Sequence, residues 1–173
     1  MGNKSILMSI QPQWVAKILN GEKTIEIRKK FPAGYRGWVY VYCSKGDRNR
    51  ALVKGWSYGY SYSGINEEYQ GKVLFRFWCD NVYEVFAGAS SLGSHRLITW
   101  TCKKMCVSLC RDSCVSQEYL DTYLGKVKGY PQGYAIHISK LEVFDKAKEL
   151  SEFGITKAPQ SYMFIEDTLW RKH

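Results

Sequence analysis

The sequence predicts a mixed α+β fold over one domain, residues 1–173: a small β-barrel with short peripheral helices. Three observations predict it. Six or seven strand-like segments recur along the chain. They are not separated by the regular helices of ~10–15 residues that a doubly wound sheet requires. With 173 residues, 45% of them apolar, the chain fills one core and has little material for a second. A barrel is favoured over an open sheet because closure hides strand edges.

Ile6 to Ile10 reads as the first strand, ending at Gln11-Pro12. Pro12 suits a first helical turn, where its missing N–H would have had no partner. Trp14, Val15, Ile18 and Leu19 form one apolar stripe over two turns, and Asn20-Gly21 caps that helix. Lys23 to Arg28 then alternates strictly, with Ile25 and Ile27 on one face and Thr24, Glu26 and Arg28 on the other. A turn through Pro32, Gly34 and Gly37 leads into the aromatic and β-branched strand Trp38 to Cys43. Trp56 to Gly64 is too rich in Gly, Ser and Tyr for a regular strand and reads as a loop or edge hairpin.

Strand character resumes over Lys72 to Asp80, and Val82 to Phe86 extends or restarts it. A mainly helical insertion is expected around residues 87–129, carried by Leu92, Leu97, Ile98, Met105, Leu109, Tyr119, Leu120 and Tyr123, with Ser116 as the N-cap of its last helix. Gly133 to Ser139 is the next strand, and Leu141 to Phe144 continues into another after a bend. Lys148 to Phe153 fits a short helix or turn, and Tyr162 to Glu166 closes the fold.

The chain carries 25 Lys and Arg against 16 Asp and Glu, a net +9, which favours negatively charged partners such as RNA or a nucleotide. Between Lys17 and Lys54 there are ten basic and three acidic residues, a local +7. No apolar run approaches the ~18 residues of a membrane helix, and no signal-peptide pattern opens the chain. A soluble cytoplasmic protein without a membrane partner is therefore expected, and its six cysteines are expected to be reduced thiols.

Cys102, Cys106, Cys110 and Cys114 recur every four residues. On one straight helix the outer pair would lie ~18 Å apart, too far to share one zinc. No metal or other cofactor is expected.

Lys23, Glu26 and Arg28 are the candidate centre, because a carboxylate beside cations stays ionised and can orient a hydroxyl, an amine or a water. A salt-bridged strand surface explains the same residues. Gln11 at the end of the first strand offers an amide to a base edge, and Pro12 fixes the turn that presents it. Lys29, Lys30, Arg36, Lys45, Arg48, Arg50 and Lys54 make a candidate phosphate-contacting face, for which a solubilising surface is the plain alternative. Trp14 and Trp38 read as core or cleft walls. Tyr58, Tyr60 and Tyr62, in their Gly/Ser setting, have the better claim to base stacking. His137, on the polar side of an Ile-His-Ile strand, has a possible cleft-facing position, although a lone histidine is more often structural or exposed.

The segment Ile6-Leu7-Met8-Ser9-Ile10-Gln11-Pro12, followed by Gly21-Glu22-Lys23-Thr24-Ile25-Glu26-Ile27-Arg28-Lys29, resembles the ASCH family. The likeness continues through Val39-Tyr40-Val41-Tyr42, Gly71-Lys72-Val73, Gly133-Tyr134-Ala135-Ile136 and Ala158-Pro159-Gln160-Ser161-Tyr162. This resemblance implies a PUA-like β-barrel that binds or acts on RNA in a cleft beside the first helix, related to PUA and EVE RNA-binding modules. Some small family members are amidohydrolases of N4-acetylcytidine that use a Lys and a Thr of the motif with a downstream Glu. Lys23 matches that lysine. Glu26 occupies the position of the catalytic threonine, and Thr24 falls elsewhere in the motif.

Two functions follow as expectations. The first is a module that binds RNA or a modified nucleotide through Gln11, Pro12, Trp14, Lys23, Thr24, Glu26, Arg28 and the basic and tyrosine residues above. The alternative is a small hydrolase of an N4-acylated cytidine or of RNA, with Lys23 stabilising developing negative charge and Glu26 directing water. A scaffold protein using the same surface to contact another protein is a third reading.

Overall fold

A computed structural model describes residues 4–45, 67–89, 98–102, 109–125 and 133–167. In chain order the strands are β1 (Lys4–Ile10), β2 (Ile25–Arg28), β3 (Gly37–Cys43), β4 (Val73–Ala89), β5 (Ile98–Cys102), β6 (Gly133–Lys148) and β7 (Tyr162–Glu166). The α-helices are α1 (Pro12–Leu19), α2 (Leu109–Ser113) and α3 (Gln117–Leu124), and a short 3-10 helix covers Leu150–Phe153. The mixed α+β class is as expected. The strands pair in the order β2-β6-β4-β3-β1-β7, with β5 beside β4. This path has two ends, so closure into a barrel is not among the pairings of the described residues.

The described residues divide into two compact units. The first comprises residues 4–22, 37–45, 67–78 and 139–167, and the second residues 23–36, 79–89, 98–102, 109–125 and 133–138.

In the first unit β1 is flanked by β3, parallel, with Ile6 opposite Val39, and by β7, antiparallel, with Lys4 opposite Glu166. A strand with neighbours on both sides and packing on both faces reads as a continuous apolar run, and Ile6, Leu7 and Met8 are fully buried. Helix α1 follows without an interruption longer than Gln11. It buries Pro12, Val15, Ala16, Ile18 and Leu19, the stripe expected from the sequence, and it packs on β3. Leu7, Tyr40, Tyr42, Val73, Phe144 and Ile165 form a core cluster, with Leu150, Phe153 and Ile155 against it.

In the second unit β2 pairs antiparallel with β6, with Ile25 opposite His137 and Glu26 opposite Ile136. Thr24 joins three segments through its backbone. Its N–H donates to the Asp112 carbonyl of α2 at 2.9 Å, and its own carbonyl accepts from Ile138 N–H at 2.9 Å. β6 can begin at Gly133 only because that residue has no side chain. A Cβ there would lie 2.7 Å from the Arg28 carbonyl oxygen and 2.6 Å from Leu124 Cδ2, closer than atoms pack.

One open alternative is decided and one reading of the sequence is corrected. Val82 to Phe86 extends the strand before it, and Val73–Ala89 is continuous. Ile98, expected in a helix, opens strand β5, which ends at Cys102, so Cys102 and the α2 residue Cys110 do not lie on one helix. Cys106 lies outside the described residues. Leu141 to Phe144 continues β6 without a break, and the expected bend coincides with Lys140, whose φ of 29° is left-handed.

Candidate functional site

The strand Ile25–Arg28 has the alternation that its sequence demands, but its polar face is not an open surface. Glu26 is 6% exposed and Lys23 3%, covered in part by α2, which packs on β2. Isolated charges at such burial are costly, so each needs partners. Lys23 Nζ donates to the Ser113 carbonyl at 2.6 Å and lies 3.2 Å from Glu26 Oε2. Arg28 Nη2 lies 3.0 Å from Glu26 Oε1. Both carboxylate oxygens are thus engaged by cations. Burial pushes the Lys23 amine below its ordinary value, opposed by the charge of Glu26 and its hydrogen bond.

Lys23 also feels Cys114, the residue that follows α2 with a left-handed φ of 57°. A non-glycine residue there stores strain. Asp112 Oδ2 is buried with no hydrogen-bond partner among the described residues.

Next to this cluster stands an aromatic pair that the sequence places on a helix without a site role. Tyr119 and Tyr123, one turn apart on α3, stack with ring centroids 5.6 Å apart and planes 19° from parallel. Tyr119 is 41% exposed. Burial pushes its hydroxyl upward, with smaller contributions from Tyr123 and Glu26, while Arg28 acts in the opposite sense. Lys29 Nζ sits 5.2 Å from the Tyr123 ring centroid, within cation–π range. The helix is set by Ser116, whose hydroxyl accepts from Tyr119 N–H at 3.1 Å, the N-cap expected from the sequence. The detectable signal was the i, i+4 spacing of two tyrosines behind a serine cap; their proximity to Glu26 is tertiary.

The second unit therefore contains Lys23, Thr24, Glu26, Arg28, Lys29, Lys30 and Arg36 of the expected site. Thr24, Lys29, Lys30 and Arg36 are exposed.

The first unit contains Gln11, Pro12, Trp14 and Lys45. Gln11 is exposed and its Oε1 accepts from Gln13 Nε2 at 3.3 Å. Pro12 is buried at the first helical position, and Trp14 is half-buried. Lys45 is exposed, with its stem against Gly71. Arg48, Arg50, Lys54, Tyr58, Tyr60 and Tyr62 lie outside the described residues.

The first unit also holds a buried cation that the sequence reading passed over. Arg76, 3% exposed, donates from Nε to Glu142 at 2.8 Å and from Nη1 to the Tyr40 hydroxyl at 3.1 Å. Its guanidinium carbon lies 3.9 Å from the Trp38 ring centroid. Tyr40 in turn donates to Asp167 at 2.8 Å, and its hydroxyl is pushed up to about 12, chiefly by burial. Trp38, expected as a core or cleft wall, is this platform, edge-on to Trp78 at 5.4 Å. The signal was Phe75-Arg76-Phe77, a charge inside an apolar strand.

Cys43, Cys79, Cys110 and Cys114 are in no disulfide. Burial pushes the Cys43 and Cys79 thiols up to about 12, which makes both poor nucleophiles. Among the described residues no helix is long and apolar enough to cross a membrane.

No family model and no curated protein matches the chain. Solved structures do. ASCH from Zymomonas mobilis matches with a TM-score of 0.60 at 12% identity, over 96% of this chain and 90% of that one. A tyrosine-to-phenylalanine variant of the Zymomonas mobilis protein matches at 0.56 and 13% identity, over 95% and 92%. A serine-to-alanine variant matches at 0.57 and 13%, over 96% and 92%. At this identity the likeness is one of fold: the chain has the fold of the ASCH structures, as the sequence resemblance implied.

Proposed function

We propose that the chain binds RNA or a modified nucleotide at the α3 side of its second unit. The observation that carries this reading is the stacked Tyr119–Tyr123 pair beside a buried Lys23–Glu26–Arg28 cluster. A base stacks on the exposed Tyr119, as aromatic faces accept any base at ~1–3 kcal/mol. Lys29, which lies over the Tyr123 ring, and Lys30 supply exposed cations for phosphates. Arg28, with 12% of its side chain exposed against 2% for Lys23 and 7% for Glu26, is the cluster member nearest to a ligand, and Glu26 fixes its orientation.

The test is a binding series with short single-stranded RNA at low salt. Tyr119→Ala is expected to weaken binding about tenfold. Absence of binding to single-stranded RNA, duplex RNA and DNA alike would overturn the reading.

A second reading, a hydrolase of an N4-acylated cytidine or of RNA, is favoured by one observation: a buried amine, Lys23 Nζ, 3.2 Å from Glu26 Oε2, is held below its ordinary value by burial, an arrangement suited to proton transfer. With both oxygens of Glu26 engaged, that residue positions Lys23 and Arg28 rather than directing water. Under this reading the protein turns over N4-acetylcytidine or RNA, and Lys23→Ala abolishes turnover. Inactivity on both substrates, or turnover unchanged in the variant, removes it.

A further inference from the structure

We propose that Asp80, His137 and Arg36 form a second site, which takes a ribose together with its 3′-phosphate and so discriminates RNA from DNA. His137 Nδ1 lies 2.6 Å from Asp80 Oδ1. An ionised carboxylate only accepts, so Nδ1 carries the proton and the ring is held in one orientation. In the neutral ring Nε2 is then an acceptor for a hydroxyl. Arg36 Nε donates to the backbone carbonyl of the same Asp80 at 2.7 Å. Arg36 is exposed and, apart from the influence of its charge on the Cys79 thiol, makes no second hydrogen bond or ion pair among the described residues, so its Nη groups are available to an oxyanion. Asp80 thus anchors a hydroxyl acceptor through its side chain and a donor to phosphate through its backbone. In a nucleic acid, a hydroxyl adjacent to a phosphate is the 2′-hydroxyl of RNA, which DNA lacks.

The ordinary alternative is a structural ion pair between β4 and β6. With His137 38% and Asp80 45% exposed, such a pair contributes little to stability, and it leaves the tether to Arg36 unexplained. The site is also separate from the Lys23–Glu26–Arg28 cluster. His137 stands opposite Ile25, and Glu26 opposite Ile136, so the two sites use opposite faces of the β2–β6 pair.

The inference rests on the nucleic-acid reading above, and the experiment separates the two. Oligouridylate and oligodeoxyuridylate of equal length differ only in the 2′-hydroxyl, and each is titrated into the full chain at low salt. The native protein is expected to favour the ribo form. His137→Phe, which keeps a ring and removes the acceptor, is expected to lower that preference about fivefold through the ribo arm alone. Arg36→Gln is expected to weaken both arms equally. The 15N resonance of His137 Nε2 is expected to move with oligouridylate and not with oligodeoxyuridylate. Equal binding of the two oligomers by the native protein, or an unchanged preference in His137→Phe, overturns this site and leaves the nucleic-acid reading standing. Failure of both oligomers to bind overturns both. All three residues are at least partly exposed, so the variants are expected to melt with the native protein, which thermal unfolding checks.

Discussion

Lys23 is the residue on which folding and chemistry meet. Its amine is held below the ordinary value of 10.5 by burial, so between the folded value and 10.5 the unfolded chain keeps a proton that the folded chain has released. Stability therefore rises with pH across that window. Denaturant unfolding of the native protein and of Lys23→Met at about pH 8 and about pH 10 is expected to show a gain on alkalinisation that the variant lacks; parallel behaviour would count against the burial argument. Removing the anion has the opposite character. Glu26→Ala leaves two cations without their shared carboxylate, at 3% exposure for Lys23. It is expected to cost about 3 kcal/mol or more, read as a lowered denaturation midpoint with an unchanged slope.

Helix α3 spans only eight residues, too few to be stable alone, so its cap and its packing decide whether Tyr119 and Tyr123 are presented together. Ser116→Ala removes the acceptor for Tyr119 N–H and is expected to cost about 1 kcal/mol. The same change is expected to weaken RNA binding, whereas Ser116→Asp, another good cap, retains both; a variant that loses neither would separate the helix from the site. Elements with a clear period were legible in the sequence: the run Ile6–Ile10, the stripe of α1, the alternation of Ile25–Arg28 and the strand Tyr162–Glu166. β5 was hidden because Ile98–Cys102, although rich in β-branched residues, sits among leucines and cysteines at helical spacing. Whether Val82 to Phe86 extends or restarts the strand before it stayed open in the sequence, because Asp80-Asn81 interrupts the apolar run. In the structure the Asp80 side chain pairs with His137, and the strand continues through it. Lys23, Glu26 and Arg28 were legible as a local pattern. Ser113, which is 90 residues from Lys23, Tyr119 and Tyr123 were not, because only tertiary packing brings them to it.

The whole molecule carries +9 with a sequence pI of about 9.2, and a general attraction to polyanions follows from that alone. The proposed site makes a narrower claim. With Lys29 and Lys30 as phosphate contacts there and Arg36 as one at the second site, the logarithm of the RNA binding constant is expected to fall with the logarithm of salt at a slope of about −2, and Lys30→Ala to reduce that slope by about 0.7. Binding of heparin as tight as RNA, with the same slope, would reduce the interaction to charge. The pairing of β1 with β7 bears on how such a protein is made. Lys4 meets Glu166 and Met8 meets Tyr162, so one strand must await a partner that leaves the ribosome roughly 10–30 s later at ordinary synthesis rates. Throughout that interval Ser5, Ile6 and Leu7 have an unclaimed flank, and the nascent chain has most need of a chaperone to keep that flank from other polypeptides.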